Sequence, residues 1–172
     1  DANVSNLYAS SGQNSLHLDF STNDDVVLEF GQIISTGEFY FSTDMLIPNK
    51  AYWNMQADTI HGQFWSFEIS FDNVLGTVEI IKSGSSLLNG NYSGFDQAGL
   101  PIWINVEVKS DYTTGLWSLI INDTLIGTFI NSDPVASVNM IPTSTGFEYY
   151  IDNVEWGKTV NNSIANGALQ NY

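Results

Sequence analysis

Apolar and polar residues alternate with period two along most of the chain. Alternation puts successive side chains on opposite faces of an extended strand, so a half-buried sheet writes this pattern into its sequence. It predicts strands over residues 15–20, 25–30, 37–47, 51–56, 64–72, 77–83, 101–111, 115–123, 125–131 and 147–156. No segment carries the 3.6-residue period of an amphipathic helix. Gly, Asn, Asp, Ser and Pro separate the strands, as turns require. Roughly ten to twelve short antiparallel strands in one domain predict two packed sheets, an all-β sandwich or jelly roll.

Parity sorts each strand into two faces. Phe39, Phe41, Met45 and Ile47 oppose Glu38, Tyr40, Ser42 and Asp44. Trp65, Phe67, Ile69 and Phe71 oppose Ser66, Glu68, Ser70 and Asp72, and Trp53 and Met55 oppose Tyr52, Asn54 and Gln56. Ile102, Ile104, Val106 and Val108 oppose Trp103, Asn105, Glu107 and Lys109. The first set of each strand reads as core. In EYYIDNVEW (148–156), Tyr149 and Ile151 share a phase, yet Val154 and Trp156 fall in phase with Asp152. The alternation slips by one at Asp152-Asn153, which predicts a β-bulge there.

The outward sets mix aromatic rings with amides and carboxylates. A sugar ring presents an apolar C–H face and a rim of hydroxyls; an aromatic stacks on the first, and Asn, Gln, Asp or Glu bonds the second. Tyr40, Tyr52, Asn54, Gln56, Glu68, Trp103 and Asn105 therefore read as one binding platform, with His61 from the loop ADTIHGQFW beside it. A second loop, NGNYSGFDQAG, carries Tyr92, Phe95 and Asp96. The competing reading is that these are ordinary solvent-facing residues chosen for β-propensity and cross-strand pairing.

The 172 residues suffice for one domain with a proper core. Residues 1–157 read as that domain and 158–172 as a polar tail or linker; the opening DANVSN reads as a mature or excised boundary. Charge narrows the partners. Nineteen Asp and Glu against four Lys, with no Arg, give a net charge of −15. Such a chain cannot build the basic stripe that releases counterions from nucleic acid, and anionic membranes are disfavoured for the same Coulombic reason. No run of about 18 apolar residues suggests membrane insertion. Neutral or weakly charged polymers and cations remain. The absence of cysteine excludes disulfides and thiolate metal sites. Four N-x-[S/T] sequons, at Asn3, Asn91, Asn122 and Asn161, are what chance provides in a chain this rich in Asn, Ser and Thr.

The segment WINVEVKSDYTTGLWSLIINDTLIGTF, from Trp103 to Phe129, resembles a signature of concanavalin A-like, laminin G-like jelly rolls. SGQNSLHLDF followed by GEFYFSTDMLIP is similar to the opening of those domains, and YYIDNV to their closing strand. The assembled order most resembles modules appended to secreted proteins of Bacteroidetes-type bacteria. One departure is Asn122-Asp123 where the family prefers Asn-Gly at the hairpin, which leaves the turn type open.

The resemblance implies a non-catalytic carbohydrate-binding module, monomeric and extracellular or at the cell surface, holding other domains of the same parent chain at a polysaccharide. A structural or adhesive spacer is the alternative. The resemblance also implies a structural Ca²⁺ at Asp152, with companions among Asp19, Asp24, Asp25 and Glu38, of which Asp19 and Asp25 are the leading choices. Glycosidases share the fold, and the nearest match to their paired carboxylates is Glu68 and Asp72 in FEISFD. A retaining mechanism needs carboxyls about 5–5.5 Å apart. Four strand residues span roughly 13 Å, so the pair fits only if a bulge intervenes. A polysaccharide lyase would want a cation for the uronate together with His and Tyr, and only His17 and His61 are available.

Overall fold

The computed structural model of the protein describes residues 2–22 and 25–159. Thirteen strands are described: β1 (Asn3–Ser5), β2 (Ser15–Asp19), β3 (Val26–Ile34), β4 (Glu38–Leu46), β5 (Lys50–Gln56), β6 (Trp65–Asp72), β7 (Thr77–Lys82), β8 (Ser85–Asn91), β9 (Trp103–Asp111), β10 (Leu116–Ile121), β11 (Thr124–Ile130), β12 (Val135–Met140) and β13 (Glu148–Thr159). A single 3₁₀ turn, Phe20–Thr22, follows β2. No helix among the described residues is long and apolar enough to cross a membrane. From residue 160 on, the expected tail lies outside the described residues, as does Asn161; Lys158 and Thr159 belong to β13.

The strands form two antiparallel sheets. One has seven strands in the order β1-β2-β13-β4-β9-β10-β11, and the other has six in the order β3-β12-β5-β6-β7-β8. All ten strands predicted by alternation are present. The three others lack its signature. VASVNM of β12 is buried at every position, because it is a central strand covered on both sides. SSLLNGN of β8 is rich in Ser, Asn and Gly, and β1 has only three residues.

Between the sheets lies one apolar layer. Trp117 of β10 and Phe129 of β11 meet Phe67 of β6 across it, with ring centroids 5.0 and 5.3 Å away, and Phe39 of β4 packs on Trp117 at 6.0 Å. A second aromatic contact joins Phe41 to Trp53, at 5.4 Å. Tyr149 adds a polar bolt, its hydroxyl donating across the core to the Tyr52 carbonyl at 2.8 Å. Along one side the sheets close on glycine: a Cβ on Gly90 of β8 would lie 2.2 Å from Ile126 Cγ2, and one on Gly127 of β11 would lie 2.5 Å from Leu88 Cδ1.

Two local predictions are resolved. In β13, Asp152 pairs with Asp44 but Glu155 pairs with Ser42, so three steps on one strand match two on the other. This is the bulge that the slipped alternation predicts, and Asn153 takes its left-handed conformation, φ 49°. At the β10–β11 hairpin, Asn122 and Asp123 have φ of 48° and 60°, the pattern of a type I′ turn. Asp tolerates that region less well than Gly. Asp123→Gly should therefore raise unfolding free energy by about 0.5–1 kcal/mol, read as a higher urea midpoint at unchanged m-value.

Candidate functional site

The eight residues of the expected platform do not share a surface. Tyr40 belongs to β4 and Trp103 and Asn105 to β9, all on the seven-stranded sheet. Tyr52, Asn54 and Gln56 (β5) and Glu68 (β6) lie on the six-stranded sheet, on the far side of the sandwich. Strand parity reveals which side chains point away from the core, but both sheets have such a face. The single platform is corrected to two.

On the seven-stranded side the residues hold structure. The Tyr40 ring lies over Gly157, where a Cβ would meet it at 2.5 Å. Asn105 Nδ2 donates to Asp44 Oδ1 at 2.9 Å, and its backbone N–H donates to Asn122 Oδ1 at 2.8 Å. Asp44 also accepts from the Ser10 hydroxyl, 2.6 Å, and from Asn153 Nδ2, 2.8 Å. Partial burial alone would raise the Asp44 pKa, but the hydrogen bonds from Ser10, Asn105 and Asn153 outweigh it and hold the group below the ordinary aspartate value. The cluster therefore adds stability above the unfolded-chain pKa and loses it as pH falls through the depressed native value. The Asp44 carboxyl ¹³C shift should titrate with a midpoint below that of an ordinary aspartate, and an ordinary midpoint would refute the cluster.

The carboxylates named for a metal are also apart. Asp152 Oδ2 accepts the N–H groups of Ser10 and Ser11, both at 2.9 Å, and Oδ1 accepts that of Asn153 at 2.8 Å. Asp19 pairs with Glu148, four residues away along β13 from Asp152, or roughly 13 Å. Asp25 precedes β3 on the other sheet, and Asp24 lies outside the described residues. Among the described residues no group of three His, Cys, Asp or Glu is placed to hold a metal ion. The three do not fit one coordination sphere. His17 stacks on Tyr150, with centroids at 4.3 Å, and meets Glu148 at 3.2 Å. Burial, helped by Glu148, pushes the Tyr150 phenol up to about 12.

On the six-stranded side the outward residues form rows across the strands. Glu29, Ser137, Gln56 and Trp65 make one; Val27, Asn139, Asn54 and Glu68 make the next. The Tyr52 hydroxyl donates to Glu68 Oε2 at 2.7 Å. Burial and this carboxylate push the phenol well above its usual range. Trp65 corrects the parity reading, which put it in the core. Met55 pairs with Phe67 and Gln56 with Trp65, so Ser66 is a bulged extra residue. The bulge turns Ser66 inward, where it is fully buried, and leaves Trp65 49% exposed.

Trp65 opens onto a cleft of about 740 Å³ at the end of the sheet. The β5–β6 loop supplies Asp58, Gln63 and Phe64, β6 supplies Glu68, and the turn into β12 supplies Asp133. Phe64 is 57% exposed. Asp133 is ion-paired to Lys82 at 2.8 Å, and Lys82 also donates to Asn131 Oδ1 at 2.6 Å. Asn131 in turn donates to Ser66 Oγ, 2.8 Å, and accepts from the Trp117 indole, 3.0 Å. The cleft wall is thus bolted to the core. Carboxylates and two aromatic rings dominate it, and its neighbouring ammonium is neutralised by Asp133.

No family model matches the chain, and no curated protein matches it by sequence. Solved structures do match it by shape. The carbohydrate-binding module CBM66 from Bacillus subtilis has a TM-score of 0.58 at 10% identity, covering 92% of each chain. Sheep galectin-11 in complex with glycerol has 0.50 at 11% identity, covering 78% of this chain and 96% of its own. The fold is a concanavalin A-like jelly roll. Alginate lyase AlgAT5, of polysaccharide lyase family 7, shares it with a TM-score of 0.54 at 13% identity, covering 88% of this chain and 72% of its own. The jelly roll therefore recurs in binding proteins and in an enzyme, so its chemistry must be argued from the side chains.

The pairing expected of a retaining glycosidase is not made in this jelly roll. β6 runs in regular register against β5 and β7 from Glu68 to Asp72. No bulge shortens the roughly 13 Å between them. Each has another partner: Tyr52 for Glu68, and Lys50 for Asp72 at 3.0 Å.

Proposed function

We propose that this jelly roll is a non-catalytic carbohydrate-binding module for a neutral polysaccharide, and that it holds a larger extracellular protein at that polymer. The observation that carries the reading is the cleft in which Trp65 and Phe64 stand exposed beside Glu68, Asp58 and Gln63. The rings offer apolar faces to sugar C–H groups, and the carboxylates and amide accept and donate at hydroxyls. A uronate would face carboxylates with no free cation nearby among the described residues, so a neutral chain is favoured. The separation of Glu68 from Asp72 supports the non-catalytic part.

The test is affinity electrophoresis of the domain in gels carrying neutral or uronic polysaccharides, with calorimetry on whichever retards it. Trp65→Ala should weaken binding about tenfold to thirtyfold, the effect of losing a central aromatic anchor. Trp103→Ala, on the opposite sheet, should leave it unchanged. Binding lost with Trp103→Ala and kept with Trp65→Ala would move the site to the other face. No retardation by any glycan would leave a spacer or adhesive domain. Release of reducing ends or unsaturated products would overturn the non-catalytic reading.

A further inference from the structure

Four polar side chains beside the cleft have atoms with no hydrogen-bond partner among the described residues: Asn54 Oδ1, Gln56 Nε2, Ser137 Oγ and Asn139 Oδ1. All four are more than nine-tenths buried, at 2%, 0%, 0% and 8% exposure. They are neighbours, because Ser137 pairs with Gln56 and Asn139 with Asn54. They also share the outward face of the six-stranded sheet with Glu68. Buried polar groups are normally partnered, so four in one patch require an explanation.

The loop between β5 and β6 provides it. His61 Nε2 meets Glu29 Oε1 at 2.9 Å, and the Gly62 N–H donates to Gln56 Oε1 at 3.0 Å. Glu29 is on β3, two strands from β5 and roughly 10 Å away, with β12 between them. To reach it, the loop must cross the outer face where Ser137 and Gln56 lie. It is a flap, latched at its far side by the exposed His61–Glu29 contact.

Resting on the carbohydrate reading above, the geometry points to a second sugar subsite under this flap. It continues the Trp65–Glu68 cleft across β5 and β12 and is exposed when residues 59–62, the tip of the loop between Asp58 and Gln63, lift. The bond from the Ala57 N–H to the Phe64 carbonyl, 2.7 Å, holds the base. The patch carries amide and hydroxyl groups and no formal charge. It offers both donors and acceptors, which is what sugar hydroxyls, themselves both, require. A short oligosaccharide fills the cleft alone; a longer one lifts the flap and satisfies the buried row. The domain would thus select chain length.

Calorimetry with neutral oligosaccharides of increasing length tests this. Affinity should rise by about tenfold once the chain outgrows the cleft. Ser137→Ala and Asn139→Ala should remove that gain and leave the shortest ligand's affinity within about twofold. In the unaltered protein, hydrogen exchange at the Gly62 amide should accelerate with the long ligand and not with the short one. A length gain that survives both substitutions, or Gly62 protection indifferent to the long ligand, overturns the subsite while leaving the cleft standing. Absence of binding by even the short ligands strikes the carbohydrate reading itself.

Discussion

Trp117→Ala should lower the unfolding free energy by about 4 kcal/mol, within the range for truncating a buried aromatic. Trp117 is fully buried and contacts rings from both sheets: Phe67 from the six-stranded one, and Phe39, Phe129 and the neighbouring Tyr112 from its own side. Its truncation leaves a cavity that no single neighbour can fill, because those rings are fixed by two different sheets. A second loss accompanies the first, since the indole donates to the Asn131 carbonyl. Trp117→Phe keeps most of the packing but not that donor, so it should cost less, about 1–2 kcal/mol. Far-UV circular dichroism in urea measures both without depending on tryptophan emission. Equal costs would mean that the hydrogen bond, and not the ring, carries the stability. Because Asn131 also holds Lys82 and Ser66, Trp117→Ala should weaken glycan binding without touching the cleft.

Gly90→Ala should cost about 2–3 kcal/mol, as overpacking does, and Gly127→Ala clearly less. In both, the new methyl meets a side chain from the facing edge strand. The difference lies in what can move. Ile126 Cγ2 branches directly from Cβ, so its position follows a stiff χ1 and the backbone of β11 must shift. Leu88 Cδ1 is the free end of a flexible side chain and can turn aside. Urea midpoints order the two, and Gly127→Ala costing as much as Gly90→Ala would contradict it. Gly90→Ala combined with Ile126→Ala should be less destabilised than the sum of the single changes, because the obstructing methyl is gone.

Local pattern was legible in this sequence and long-range pairing was not. The bulge at Asp152-Asn153 could be read because apolar residues resume in shifted phase on its far side, at Val154 and Trp156. The bulge at Ser66 could not. It sits at the second residue of β6, and the loop before it does not alternate, so there is no earlier phase to compare. Parity alone therefore assigns Trp65 to the core. Tyr40 and Tyr52 have the same parity signature, and only the strand order puts them on opposite sides. That order depends on which segments meet across a hundred residues, which alternation does not encode. The unpartnered row needed β12, whose two buried faces erase the alternation that would announce it.

The strand order also governs how the domain is made. β13 sits between β2 and β4, and β12 sits between β3 and β5. In each sheet the gap left by N-terminal strands is filled by one of the last two described strands. At ribosomal speed the interval from β2 to β13 lasts on the order of ten seconds. Throughout it, four strands carry open edges toward partners that do not yet exist, and such edges invite pairing with other chains. Folding cannot proceed in order from the N-terminus; it must wait for β12 and β13.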